Sequence, residues 1–515
     1  MQFAGFLLWI ISRAHRVEGQ IDYGIQKTME NTKKIQNDFT EGAIGKHLIK
    51  FSLPFLISNF IQACYSVADM LIVGRYCSTA ALAGVNNGAQ VCNILTMLIS
   101  GLTIGGTILV GQYFGAKKEK DISETIGTLF SMMLIIGIVL TGRMIFLNEP
   151  IMRLLNVQED ALPYAKDYTA ICLCGTLFIF GYNAVSAVQR GMGESKRPLL
   201  FVAIACVINI GLDLLFVKGW GIGPKGAALA TITSQAISMI LAVLYLKKRN
   251  FVFDFKLKSF KIKKDKALLL LRIGIPSSVQ AVISNFSFLF LNGIVNAMET
   301  AASAAVGIVG RFNGFAVLPA IAMSQSISSI SAQNIGAGDY KRAKQALWYG
   351  LLIAFALGLM VFAFAQLFAE PILNLFMTEE SYNPAVVEYG KQYMSTFSID
   401  YLFLPFSFCF NGLLNGAGHT TFTLFNNVFN SIVLRIPVAS WLSKTALGIS
   451  GVGLAAPSAS LVGAIISFVY ILSGRWMKNA TGIRAPEEDK AATAGASAEE
   501  KESLSKEETI SVEEG

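Results

Sequence analysis

The sequence predicts an all-α integral membrane protein, with twelve transmembrane helices in two parallel-repeat six-helix bundles. Three observations carry that reading. Of 515 residues, 53% are hydrophobic and only 15% charged, and the mean hydropathy is +0.53; a soluble domain could not cover its surface with so few charges. Twelve apolar segments follow one another, each near the ~20 residues that a bilayer core demands. Blocks from the first half of the chain then recur in the second half at nearly one offset.

The elements are read in order. Residues 1–28 contain an apolar run from Phe3 to Ile11 that is too short to span. It lacks a basic leader and a cleavage pattern, so no signal peptide is expected, and Met29 reads as the more natural start. Residues 1–45 form a cytoplasmic N-terminal segment, partly disordered. Segments at 47–73, 82–110, 124–146, 165–189, 197–217 and 226–246 build an N-terminal lobe over 46–248. A basic cytoplasmic linker, 249–266, leads to a C-terminal lobe over 267–477. Its segments lie at 267–296, 303–331, 346–369, 391–414, 420–442 and 451–474. Residues 478–515 lose periodicity and become an acidic tail expected to be disordered, with ten acids against three lysines from Glu487 onward.

Charge orients the segments. Loops after even-numbered segments carry Lys117, Lys118 and Lys120, then Arg190, Lys196 and Arg197, then the lysine-rich linker, then Lys341, Arg342 and Lys344. Odd loops are poorer in base, and two carry acids, Glu299 and Glu379–Glu380. By the positive-inside rule both termini are cytoplasmic. The net charge of +8 is thus a matter of topology, and no nucleic-acid partner is expected. Seven cysteines without a CxxC pair and three scattered histidines support neither a metal cluster nor a nucleophilic site. No enzyme activity and no cofactor are expected.

The repeat is read from five blocks. Pro54 recurs as Pro276 and Gly84 as Gly307. Gln112, Gly115 and Ala116 recur as Gln333, Gly336 and Ala337. Gly191 and Gly193 recur as Gly416 and Gly418. Gly223, Gly226, Leu229 and Ala230 recur as Gly448, Gly451, Leu454 and Ala455. Six crossings return the chain to its starting side, so the halves are parallel repeats, an arrangement in which transporters hold substrate between two bundles. Four polar residues break the match: Asp69 faces Leu291, Asn209 faces Leu434, Asp213 faces Val438 and Thr231 faces Ala456. An intramembrane carboxylate costs about 2.5–3.5 kcal/mol and marks an ion or proton path unless it serves only as interhelical glue. Asn209 and Asp213, four apart, share one helix face. Together with Asp69 and Thr231 they offer hard oxygen ligands for Na⁺ or a proton relay, in the first lobe alone.

These motifs resemble the multidrug and toxic compound extrusion (MATE) transporters of bacteria over about residues 40–478. The resemblance rests on Pro54, Gln62 and Asp69 followed by VGR at 73–75, on VGQYFGAKK at 110–118, on QRGMGESKRP at 189–198, and on NIGLD at 209–213 with GPKGAALAT at 223–231. It implies two six-helix lobes that open alternately and export drugs against an inward H⁺ or Na⁺ gradient. It also implies a cation or proton site at Asp69, Asn209, Asp213 and Thr231, with Asn183 and Gln62 in the neighbouring polar network, and no metal beyond that coupling ion. The expected setting is the bacterial inner membrane, the expected partners are small-molecule drugs and the lipid bilayer, and the expected state is a monomer. Apolar cavity walls and a few acids would suit amphipathic, often cationic drugs. Second-lobe drug contacts are expected from Phe286, Phe288, Phe290 and Met323. Asp400 is read as a helix cap or interfacial residue, and Arg435 as a charge that needs a partner the sequence does not name. A lipid-linked oligosaccharide flippase of a related fold is the alternative function.

Overall fold

The computed structural model describes residues 38–248, 251–377, 382–478 and 480–483. The readings made for residues 1–28, for Glu379–Glu380 and for the acidic tail beyond 483 lie outside them. Every regular element among the described residues is helical. The first half contains α1 (Ile44–Tyr76), α2 (Thr79–Gly115), α3 (Glu119–Leu154), α4 (Leu162–Cys174), α5 (Thr176–Gly191), α6 (Lys196–Asp213) and α7 (Pro224–Lys248). The second contains α8 (Lys264–Asn296), α9 (Thr300–Ala316), α10 (Leu318–Gly336), α11 (Tyr340–Leu367) and the short α12 (Ala369–Leu375). It continues with α13 (Pro384–Phe397), α14 (Asp400–Gly416), α15 (Thr420–Val428), α16 (Ile436–Leu442) and α17 (Gly448–Leu472).

Nine of the described spans are long and apolar enough to cross a bilayer by themselves, α9 and α10 together counting as one. Two more are bent pairs, α4–α5 at 47° and α13–α14 at 45°. The twelfth segment, Thr420–Leu442, is helical throughout with a π-helical turn at Phe429–Arg435, and it is not among these eleven. A second π turn, Leu214–Gly219, follows directly on Asp213. Such turns cluster at functional positions because they re-aim side chains within a helix. Starts are set by local chemistry. Ser78 accepts from Ala81 N at 3.2 Å to cap α2, and Asp339 accepts from Arg342 N at 2.9 Å to cap α11.

The repeat has a physical cause at the ends that carry the basic loops. Gly193 and Gly418 both take left-handed φ, 81° and 82°, as their helices end. At Gly191 a methyl group would meet the carbonyl of Thr107, and at the matching Gly416 the carbonyl of Ser328. In each half, therefore, the fourth crossing touches the second backbone to backbone. The linker does not dangle. Phe253, Phe255 and Phe260 gather around Phe130 of α3, and Thr128 receives Lys263 N at 3.1 Å.

The halves meet along a seam. Gln112 Nε2 donates to Gly416 O at 2.8 Å, and its repeat partner Gln333 donates to Gly191 O at 2.9 Å. Each glutamine crosses to the opposite half and bonds the glycine matching the other's acceptor. The free amide oxygens are capped as well, Gln333 by Phe39 N at 3.1 Å and Gln112 by Thr481 Oγ1 at 2.6 Å. Gly115 and Gly336 lie so close to the facing backbones of Gln333 and Gln112 that a methyl group on either would overlap a carbonyl. Further along, Ser278 donates to Leu98 O and Asn285 Nδ2 reaches Met97 Sδ at 3.7 Å, near the middle of α2. The seam is thus closed at the basic-loop end.

Candidate ion seat and interlobe cavity

The first lobe assembles its acids from α1 and α6, which pack against each other. Asp69 is 8% exposed, while Asn209 and Asp213 are fully buried. Both carboxyl groups are thus buried where α1 packs against α6. Asn209 lies one turn before Asp213, as its spacing requires. Five polar atoms here, Asp69 Oδ1, both carboxyl oxygens of Asp213 and both amide atoms of Asn209, are buried without a hydrogen-bond partner among the described residues. Leaving a buried polar atom unpaired costs about 1–3 kcal/mol. The donor set is all oxygen apart from one amide nitrogen, which suits a proton shared between carboxyl groups or a hard cation such as Na⁺.

Thr231 of α7 is tied to this group through Tyr65, whose hydroxyl donates to Thr231 Oγ1 at 3.2 Å. Tyr65 sits one turn before Asp69 on α1 and was not among the residues singled out from the sequence. The signal was available, since its repeat position holds Ser287 and thus breaks the match as Asp69 does. Gln62, Asn183 and Thr231 line a side cavity of about 260 Å³ together with Tyr65. Asn183 also donates to Ile179 O one turn back at 2.8 Å, and Gln62 is exposed. Neither Asp69 nor Asp213 lines that cavity.

The corresponding place in the second lobe is apolar. Leu291 and Ala456 are buried in an apolar cluster, with Val438 packed against it. Tyr168 and Cys172 of the first lobe lie in the related cluster at the positions that Tyr393 and Phe397 fill in the second.

The second lobe contains instead a cavity of about 440 Å³, to which the first lobe contributes Phe55, Ile104, Thr107 and Arg190. Two sequence expectations need correction here. Asp400 is neither cap nor interfacial. It is 2% exposed, caps nothing, and opens α14 at the bend between the two half-helices, where it lines the cavity. The bend brings a residue that reads as a helix start into the middle of a crossing. Of the four expected drug contacts, only Phe288 lines this cavity. Met323 is 2% exposed inside the apolar core, and Phe286 and Phe290 line a separate shallow groove with Gly293. The walls present mostly apolar surface, as expected, and are studded with Ser, Asn and Gln from α8, α10, α14 and α15. Arg435, the unexplained charge, lies in the π turn with its guanidinium 4.5 Å from the centre of the Phe288 ring and faces this cavity.

Two repeated six-helix halves, closed on each other at one end, with buried acids in one half and a cavity in the other, define a polytopic membrane transporter. The family model described as MatE matches residues 54–215 and 276–441, one stretch per half. The chain belongs to the MATE family. It is 30% identical over 439 residues to a probable multidrug resistance protein, YpnP, of Bacillus subtilis (strain 168), covering 85% of this chain and 97% of that one. It is 26% identical to an FAD transporter of Shewanella oneidensis, covering 83% of this chain and 94% of that one. A solved structure of a MATE protein in complex with MaL6 has the same fold, with a TM-score of 0.81 and 24% identity over 85% of this chain and 98% of that one.

Proposed function

We propose that this protein is a cation-coupled antiporter of the inner membrane that exports small organic molecules by alternating access, working as a monomer with both termini in the cytoplasm. The observation that carries the proposal is the burial of Asp69 and Asp213 on two packed helices with unpartnered oxygens, where the matching positions of the second lobe hold Leu291 and Val438. Entry of H⁺ or Na⁺ at Asp69, Asn209, Asp213 and Thr231 changes the charge of α1 and α6 from within. The π turn after Asp213 gives α6 a place to repack. On this reading the seam at the basic-loop end is the closed cytoplasmic gate, so the structure represents the state facing outward. The Bacillus relative is named a probable multidrug resistance protein, and a broad substrate range suits a cavity with few fixed charges.

A flippase for lipid-linked oligosaccharides draws one observation, the two arginines in the large cavity. A volume of about 440 Å³ suits one small molecule, and that activity leaves the first-lobe acids without a task. Proteoliposomes loaded with a fluorescent substrate and given an inward Na⁺ or H⁺ gradient test the proposal. Export driven by one gradient and lost in Asp213→Asn supports it; export indifferent to both gradients refutes it.

A further inference from the structure

The cavity of the second lobe carries a charge pattern that a seat for a lipophilic cation would not. Arg435 and Arg190 both line it, and Asp400 is the one carboxylate in its wall, so the wall is formally positive. Arg435 Nε is buried without a partner, and so are three acceptors of the same wall, Asp400 Oδ1, Asn411 Oδ1 and Asn430 Oδ1. Neither arginine is in an ion pair among the described residues; each lies against an aromatic ring, Arg435 on Phe288 and Arg190 on Phe55. An arginine in the interior of a membrane protein is retained where something pairs with it. Here the fold supplies a ring face that orients the guanidinium and leaves its hydrogen-bonding edge for a ligand. A lipophilic cation would meet like charge at both arginines and leave Arg435 Nε unpaired.

We infer that this cavity, taken as the substrate seat of the exporter proposed above, binds a hydrogen-bonding organic anion. A carboxylate or phosphate group sits on the planar fork of Arg435, which fits either acid. N–H or O–H groups elsewhere on the molecule donate to Asp400, Asn411 and Asn430. Asp400 thereby sets a second requirement, since an anion without donors would bring only repulsion to that side of the wall.

Equilibrium binding to the purified full-length protein tests this without any gradient. The probes are carboxyfluorescein for the carboxylate, flavin mononucleotide for the phosphate, and ethidium as a lipophilic cation. At least one anion is expected to bind more tightly than ethidium, and the stronger of the two identifies the acid. Arg435→Gln should weaken that anion about tenfold to a hundredfold and leave ethidium unchanged or improved. Arg435→Lys keeps the charge and should retain part of the affinity, which separates lost recognition from lost folding. Tighter binding of ethidium, no binding of either anion, or anion binding unchanged in Arg435→Gln in a folded protein overturns the inference. Gradient-driven export is read in a separate assay, so failure of coupling would sink the exporter reading and leave the binding result standing.

Discussion

The two lobes share a backbone plan and differ in what they bury. Where α1, α6 and α7 of the first lobe place Asp69, Asp213, Asn209 and Thr231, the second lobe packs Leu291, Val438, Leu434 and Ala456. Where the second lobe opens a cavity around Asp400 and Arg435, the first has a smaller side cavity lined by Gln62, Tyr65, Asn183 and Thr231. The seam is the opposite case, because Gln112 and Gln333 make the same bond to matching glycines. Duplication thus kept what both halves must do together and let diverge what one half can do alone. A closing seam needs two equal partners, whereas an ion seat needs only one lobe that changes shape.

The largest expected effect breaks the asymmetry at its source. Asp69→Asn or Asp213→Asn should lower gradient-driven export about a hundredfold, the upper range of a coupling free energy between two sites. The protein should remain folded and inserted, as judged by size-exclusion elution. Next, Leu291→Asp places an acid at the repeat position of Asp69 without Asn209, Asp213 or Tyr65 equivalents around it. It should destabilise the protein by about 2.5–3.5 kcal/mol, seen in thermal unfolding, and add no coupling. Coupling gained there would show that position, not surroundings, makes the seat.

A smaller effect tests the symmetric part. Gly115→Ala and Gly336→Ala each put a methyl group against the facing carbonyl and should disfavour the closed seam by about 1–3 kcal/mol. Spin-label distances across the basic-loop end should lengthen by similar amounts in both variants; a response confined to one would break the equivalence. The smallest effect is expected from Tyr65→Phe, which removes the bond to Thr231 at about 1 kcal/mol. Affinity for the coupling ion should fall about fivefold while the expression level holds.

Much of this was legible in the chain. Segment length and loop charge located the crossings, because the bilayer imposes both. The repeat offset marked Gln112, Gly115, Gly191 and their partners, although what those residues do, bonding across the seam, needs two lobes in space. The asymmetry of the acids was visible because one half serves as the other's control. Asp400 was misread because a bend buries it, and bends leave little trace when a serine and an isoleucine stand at the break. Met323 and Phe290 were misplaced because an apolar residue in a span can face core, cavity or lipid with equal ease, and only packing decides. Arg435 found its place through a π turn that shifts the helical register at the point where a regular 3.6-residue period would be used to orient it.

The most direct measurement is ion uptake itself. Proteoliposomes containing the wild type, Asp69→Asn or Asp213→Asn would be given an outward substrate gradient and followed for luminal H⁺ and Na⁺. The account predicts counter-movement of one ion in the wild type and none in either variant, with substrate binding at the second-lobe cavity still present. Ion movement that persists in both variants would place the coupling outside the first-lobe acids and contradict it.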